Sequence, residues 1–191
     1  MNNRQVLLIG DSIRLGYCAV AKQSLADCAE VLYPEGNCRS THFVIESLEG
    51  WTQLCRREDV AAVHFNCGHW DAAHFGWDET SLTTVETYGF NIRKIIRRLR
   101  GYFPNAKIFF ATTTPMNPNP EKIDNRTTEE IRRYNREGVL AAEEYGVEVD
   151  DLFALTENWD ESMFADACHF TEEGSRILGE TVAAFIRERM E

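Results

Sequence analysis

Three residues in this chain could together activate a hydroxyl for attack: Ser12 in LLIGDSI, His169 in ADACHFTEEG, and Asp166 three residues before that histidine. Serine is a poor nucleophile unless a base takes its proton and a third group orients the base. A spacing of three lets one turn bring the Asp166 carboxylate to Nδ1 of His169, leaving Nε2 to face a serine. Plainer readings exist for the same letters. Ser12 could cap the helix that follows it, and His169 could be an ordinary loop histidine beside a helix-terminal aspartate. Of the other histidines, His42 falls on an expected helix and His64 inside a strand, which gives them structural roles. His69 and His74 lie in a long loop and stay candidates.

The decision depends on where the elements place these groups. Residues 5–9 form a continuous apolar run, the pattern of a strand buried on both faces. Residues 13–25 read as a helix, 29–33 as a strand, 41–55 as a helix and 60–66 as a strand. The helix over 82–103 has the clearest signature, with Val85, Tyr88, Ile92, Ile95, Leu99 and Tyr102 stepping by three or four. A strand at 107–112, a helix at 128–145 ended by Gly146, a short strand at 147–149 and a last helix capped by Thr171 complete the pattern. This alternation predicts one α/β domain over 1–191, a three-layer α/β/α sandwich of flavodoxin-like type with about five parallel strands. Two segments, 67–81 and 113–127, exceed what connections need and follow strand ends, as Ser12 does. Ligands bind beyond the carboxyl ends of strands in such sheets.

At 191 residues the chain is long enough to enclose a core, and its formal net charge is −11. That charge argues against nucleic acid, whose phosphates require clustered cations. The basic group Arg93, Lys94, Arg97, Arg98 and Arg100 shares a helix with the apolar stripe and reads as a solvated face. Nothing approaches the ~20 apolar residues of a membrane span, and the N-terminus lacks the pattern of a secretory signal. The expectation is a cytoplasmic protein without membrane or nucleic-acid partners. Cysteines 18, 28, 38, 55, 67 and 168 lack metal-site spacing, so reduced and mostly buried thiols are expected. A metal or redox site built from Cys38, Cys67, Cys168 and His169 is the less economical alternative.

Four blocks resemble the SGNH (GDSL-type) hydrolases, a superfamily of esterases and lipases. IGDSI follows the first strand, PEGNCRST the second, FNCGHWD the third, and DACH precedes the last helix. The resemblance implies Ser12 as nucleophile, His169 as base and Asp166 as its orienting acid, with no metal or organic cofactor. It implies oxyanion donors at the Ser12 N–H, at Cys38 in the position of a family glycine, and at Gly68 of the G-x-N-D block. Trp70 occupies the usual Asn position of that block, so Asn66 is the substitute expected from nearby.

The expected reaction is hydrolysis of a small-molecule carboxylic ester through an acyl-enzyme. Aromatic and polar residues of the two long loops favour a small acyl, such as acetyl, on a carbohydrate or similar polar alcohol. Trp70, His74, Trp77 and Met116 are the expected substrate contacts, with Arg14 as a partner for an anionic group. A lysophospholipase or thioesterase would use the same triad, and a non-catalytic carbohydrate-binding protein could use the same fold.

Overall fold

The computed structural model describes residues 4–76, 78–122 and 125–190. Five strands, Gln5–Ile9 (β1), Glu30–Leu32 (β2), Val60–Asn66 (β3), Lys107–Ala111 (β4) and Glu148–Asp150 (β5), pair in parallel in the order β2-β1-β3-β4-β5. Among the described residues the helices are Ser12–Ser24 (α1), Thr41–Trp51 (α2), His69–Ala72 (α3), Val85–Tyr102 (α4), Thr128–Glu144 (α5), Leu152–Thr156 (α6) and Glu172–Met190 (α7). The predicted α/β sandwich is the observed architecture. The differences are at ends: the expected helix over 41–55 stops at Trp51 and continues as a 3-10 turn over Thr52–Leu54. Helices α3 and α6, four and five residues long, are too short for a periodic signal.

The apolar run of β1 is divided between two cores because successive side chains point to opposite faces. Leu7 and Ile9 pack with Val44 and Leu48 of α2, Ile92 and Ile95 of α4, and Ile131 of α5. Val6 and Leu8 pack with Ile13 and Tyr17 of α1 and Leu178, Val182 and Ile186 of α7. Each such fully buried side chain contributes about 1.5–3 kcal/mol relative to exposure. The stripe predicted for α4 faces its core, with Tyr88, Ile92, Ile95 and Leu99 buried. The cations on that helix tie it to neighbours: Arg93 pairs with Glu144, and Arg98 donates to the Ile45 carbonyl.

Helix ends are fixed by local chemistry. Thr127 and Glu130 form a reciprocal capping box at the start of α5. Thr171 accepts from the Gly174 N–H at the start of α7, as predicted, and Gly146 turns the chain after α5 with φ of 58°. Because β1 lies between β2 and β3, the loops leaving all three strands meet at one edge of the sheet. Helices α1 and α7 pack on one another, which brings the segment before α7 to that same edge.

Candidate active site

Ser12 is the first residue of α1, and the helix is capped by Asp11, whose Oδ1 accepts from the Ile13 N–H at 3.0 Å. The cap is therefore Asp11 and not Ser12, which leaves the Ser12 hydroxyl available. The strand-to-helix exit depends on Gly10. A Cβ there would lie 2.0 Å from Asn66 Oδ1 and 2.6 Å from Arg14 Cβ, so only glycine admits the approach.

The segment before α7 supplies the other two groups. His169 Nε2 is 2.7 Å from Ser12 Oγ, and Nδ1 is 2.7 Å from Asp166 Oδ2. The second carboxylate oxygen of Asp166 accepts from the backbone N–H groups of Cys168 (3.0 Å) and His169 (2.8 Å). Partial burial works to raise the Asp166 carboxyl, but those two donors and the imidazole outweigh it and hold it below its ordinary value. His169 is raised to about 9. Contact with the Cys168 sulfur is the largest cause, burial opposes it, and the Asp166 carboxylate adds to it. The loop is fastened from β4's side: Asn117, itself buried, donates its Nδ2 to the Asp166 carbonyl and its N–H to the Ala167 carbonyl.

A cleft of about 300 Å³ opens over this triplet, lined by Ser12, Asn37, Trp70, Ala73, Phe75, Asn125, Arg126, Cys168 and His169. Trp70 and Phe75 form its aromatic wall, ring centroids 5.8 Å apart. Of the substrate contacts expected from sequence, Trp70 lines the cleft, and Trp77 lies outside the described residues. Three others lie elsewhere. His74 pairs with Glu130 of α5 at 3.0 Å. Met116 is buried, its N–H donating to Thr128. Arg14 is wholly buried, with Nη2 donating to the carbonyls of Gly36 (2.7 Å) and Gly10 (3.3 Å). An arginine two residues after a loop serine faces inward here because the turn of α1 aims it beneath the β2–α2 connection.

The expected oxyanion donors need equal correction. The Cys38 N–H donates to the Gly10 carbonyl at 3.1 Å and its side chain is buried. The left-handed backbone in this loop belongs to the next residue, Arg39, with φ of 51°. The Asn66 amide donates to Asp11 at 3.1 Å. Gly68, with φ of 151°, is held against Thr113, whose Oγ1 would lie 2.1 Å from an added Cβ. It shapes the entry to α3 and does not line the cleft. Asp71 of α3 accepts from the N–H and Oγ1 of Thr41, joining α3 to α2, and burial raises its carboxyl to about 6 despite those bonds. What remains at the nucleophile is the N–H of Ser12, in a first helical turn where backbone donors have no intrahelical acceptor.

The residue that sequence reasoning missed is Arg126. The signal was present: the Thr127–Glu130 capping box fixes where α5 begins, so Arg126 must end the long loop leaving β4 at the ligand edge. The proposed metal or redox cluster is not formed as imagined. Among the described residues, Asp166, Cys168 and His169 bring their ligand atoms within 4.8 Å of one another, and Cys38 and Cys67 are not part of that group. His64 pairs with Asp150 inside the protein at 2.9 Å, as a structural histidine should.

The profile of the GDSL-like Lipase/Acylhydrolase family matches residues 8–177. A GDSL esterase/lipase of Arabidopsis thaliana is 28% identical over 207 residues, covering 96% of this chain and 86% of that protein. A GDSL esterase/lipase of Oryza sativa subsp. japonica is 27% identical over 115 residues; the match takes in 54% of this chain and 44% of the rice protein, less than half of its length. The crystal structure of an acetyl xylan esterase superposes with a TM-score of 0.73 at 20% identity, covering 95% of this chain and 99% of that one, and so shares the fold. The chain belongs to the GDSL-like lipase/acylhydrolase family and is by that membership a carboxylic ester hydrolase.

Proposed function

We propose that residues 1–191 act as one esterase domain that hydrolyses small-acyl esters of a carbohydrate or similar polar alcohol, with Ser12, His169 and Asp166 as the catalytic triad. The observation that carries this reading is the unbroken chain from Asp166 Oδ2 through His169 to Ser12 Oγ, at 2.7 Å for each link. Ser12 Oγ attacks the ester carbonyl while Nε2 of His169 takes its proton, and Asp166 stabilises the imidazolium. The Ser12 N–H, at the positive end of α1, donates to the developing oxyanion. Asn37 is the second donor in this scheme. Its Oδ1 already accepts from the Arg39 N–H at 2.8 Å, so its Nδ2 is the end left for the cleft. His169 then protonates the departing alcohol, and a water activated by the same imidazole releases the acyl group.

The cleft supports a small substrate over a long-chain lipid. Its 300 Å³ lies at the lower end of the range of about 300–1,000 Å³ that ligand sites occupy. The fold neighbour named as an acetyl xylan esterase is consistent with the same choice. Hydrolysis of p-nitrophenyl esters of increasing chain length tests both parts. Acetate is expected to give the highest kcat/KM, and Ser12→Ala to lose at least about 1,000-fold. Wild-type hydrolysis no faster than Ser12→Ala would remove the triad reading, and a preference for long acyl chains would replace the acetyl reading with a lysophospholipase or thioesterase.

A further inference from the structure

The cleft of a protein with net charge −11 is bordered by two arginines, and neither is in a direct ion pair among the described residues. Arg126 lines the cleft beside Ser12 and His169. Its Nε donates to Nδ1 of His69 (3.0 Å), its Nη1 to Asn125 Oδ1 (2.6 Å), and its Nη2 to Cys168 Sγ (3.3 Å). All three acceptors serve without a carboxylate, and three of the five guanidinium N–H groups are used. Among the described residues one N–H on each Nη is left over and can donate to a carboxylate or phosphate oxygen. His69 takes its part as a neutral ring: burial first, then Arg126 and His169, push its pKa well below the ordinary value, and its Nε2 is tied to Thr114 at 3.2 Å.

The second cation, Arg39, lies at the rim. Its guanidinium stacks 5.7 Å from the Trp70 ring centroid and 5.2 Å from that of Phe43. Its left-handed backbone, unfavourable for a residue with a side chain, fixes where that side chain leaves the loop. Arg126 is half-buried and all its hydrogen bonds go to neutral acceptors, with the buried Asp11 acting on it only through space, so a bound anion would supply the directly paired charge it lacks. Polar neighbours that hold the cation in place before binding spare the ordering entropy then.

Resting on the esterase reading above, we propose that the cleft selects esters carrying a negative charge, a carboxylate or phosphate, gripped by Arg126 and attracted by Arg39. Arg126 is then a specificity residue of the same site.

Paired substrates test this. p-Acetoxybenzoate against its uncharged methyl ester places the charge on the alcohol side, and p-acetoxyphenyl phosphate repeats that arm with a phosphate. Mono-p-nitrophenyl adipate against p-nitrophenyl hexanoate places it on the acyl side. In at least one pair the wild-type kcat/KM for the anion is expected to exceed that of its neutral partner about tenfold, the size of a charge-assisted hydrogen bond, and to lose that preference as salt is raised. In Arg126→Gln the ratio of anion to neutral should fall to near one, and Arg126→Lys should retain part of it. A wild type without preference in any pair, or an Arg126→Gln variant with the ratio intact, overturns the charge selection while the triad reading stands. Anionic and neutral esters alike turned over no faster than by Ser12→Ala would overturn both.

Discussion

The side-chain amide of Asn66 donates to Asp11 Oδ1 at 3.1 Å, and both residues are buried. The bond links the end of β3 to the cap of α1 and so fixes the helix that carries Ser12. Asp11 needs it: burial raises its carboxyl, and the Asn66 amide is the largest of the influences that oppose the rise. Asn66→Ala should therefore act on stability. Leaving a buried carboxylate short of a donor costs about 1–3 kcal/mol, readable as a lower urea midpoint. Removing a true oxyanion donor costs about 100–1,000-fold in kcat. A loss of that size in folded Asn66→Ala, with the urea midpoint unchanged, would return Asn66 to the oxyanion site.

The pH profile should report His169. The imidazole must be neutral to take the Ser12 proton, and its folded pKa is raised to about 9. Below that value kcat/KM should rise about tenfold for each pH unit, levelling off only in the alkaline range. Because contact with the Cys168 sulfur is the largest cause of the rise, Cys168→Ala should move the limb to lower pH and make the enzyme more active at neutral pH. Identical limbs in the two proteins would show that Cys168 does not tune the base.

Much of this site was legible in the letters, and the reason is local. Ser12 sits two residues past Gly10, the one residue the strand exit permits there, and Asp166 reaches His169 within one turn, so each needs little knowledge of the rest of the fold. The strand order placing β1 between β2 and β3 then converts sequence blocks into one edge. What could not be read was direction. Cys38 and Asn66 stand beside the nucleophile, yet both donors turn inward, to Gly10 and Asp11. Met116 falls in a loop rich in Pro and Asn but is buried, because the loop folds back to clamp the Asp166 segment through Asn117. Arg126 escaped notice because its partners, His69, Asn125 and Cys168, come from two distant segments and an adjacent loop position.

Arg14 and Arg126 offer a direct contrast, since both are arginines near Ser12 and only one faces the cleft. Arg14 is fully buried, 5.6 Å from the Tyr33 ring centroid, with its Nη2 bonded to two backbone carbonyls and 3.5 Å from Cys38 Sγ. Among the described residues its Nε has no hydrogen-bond partner. Arg14→Ala would empty the space beneath the β2–α2 connection, a loss on the order of 3 kcal/mol. The lower Tm should come with equal fractional loss of kcat/KM on p-acetoxybenzoate and on its methyl ester, because a misplaced Ser12 harms both alike. A loss confined to the anionic ester would mean that Arg14 reaches the substrate, contrary to its burial. Arg126→Gln should show the opposite pattern, since its cation sits in the cleft wall and is held only by neutral acceptors among the described residues.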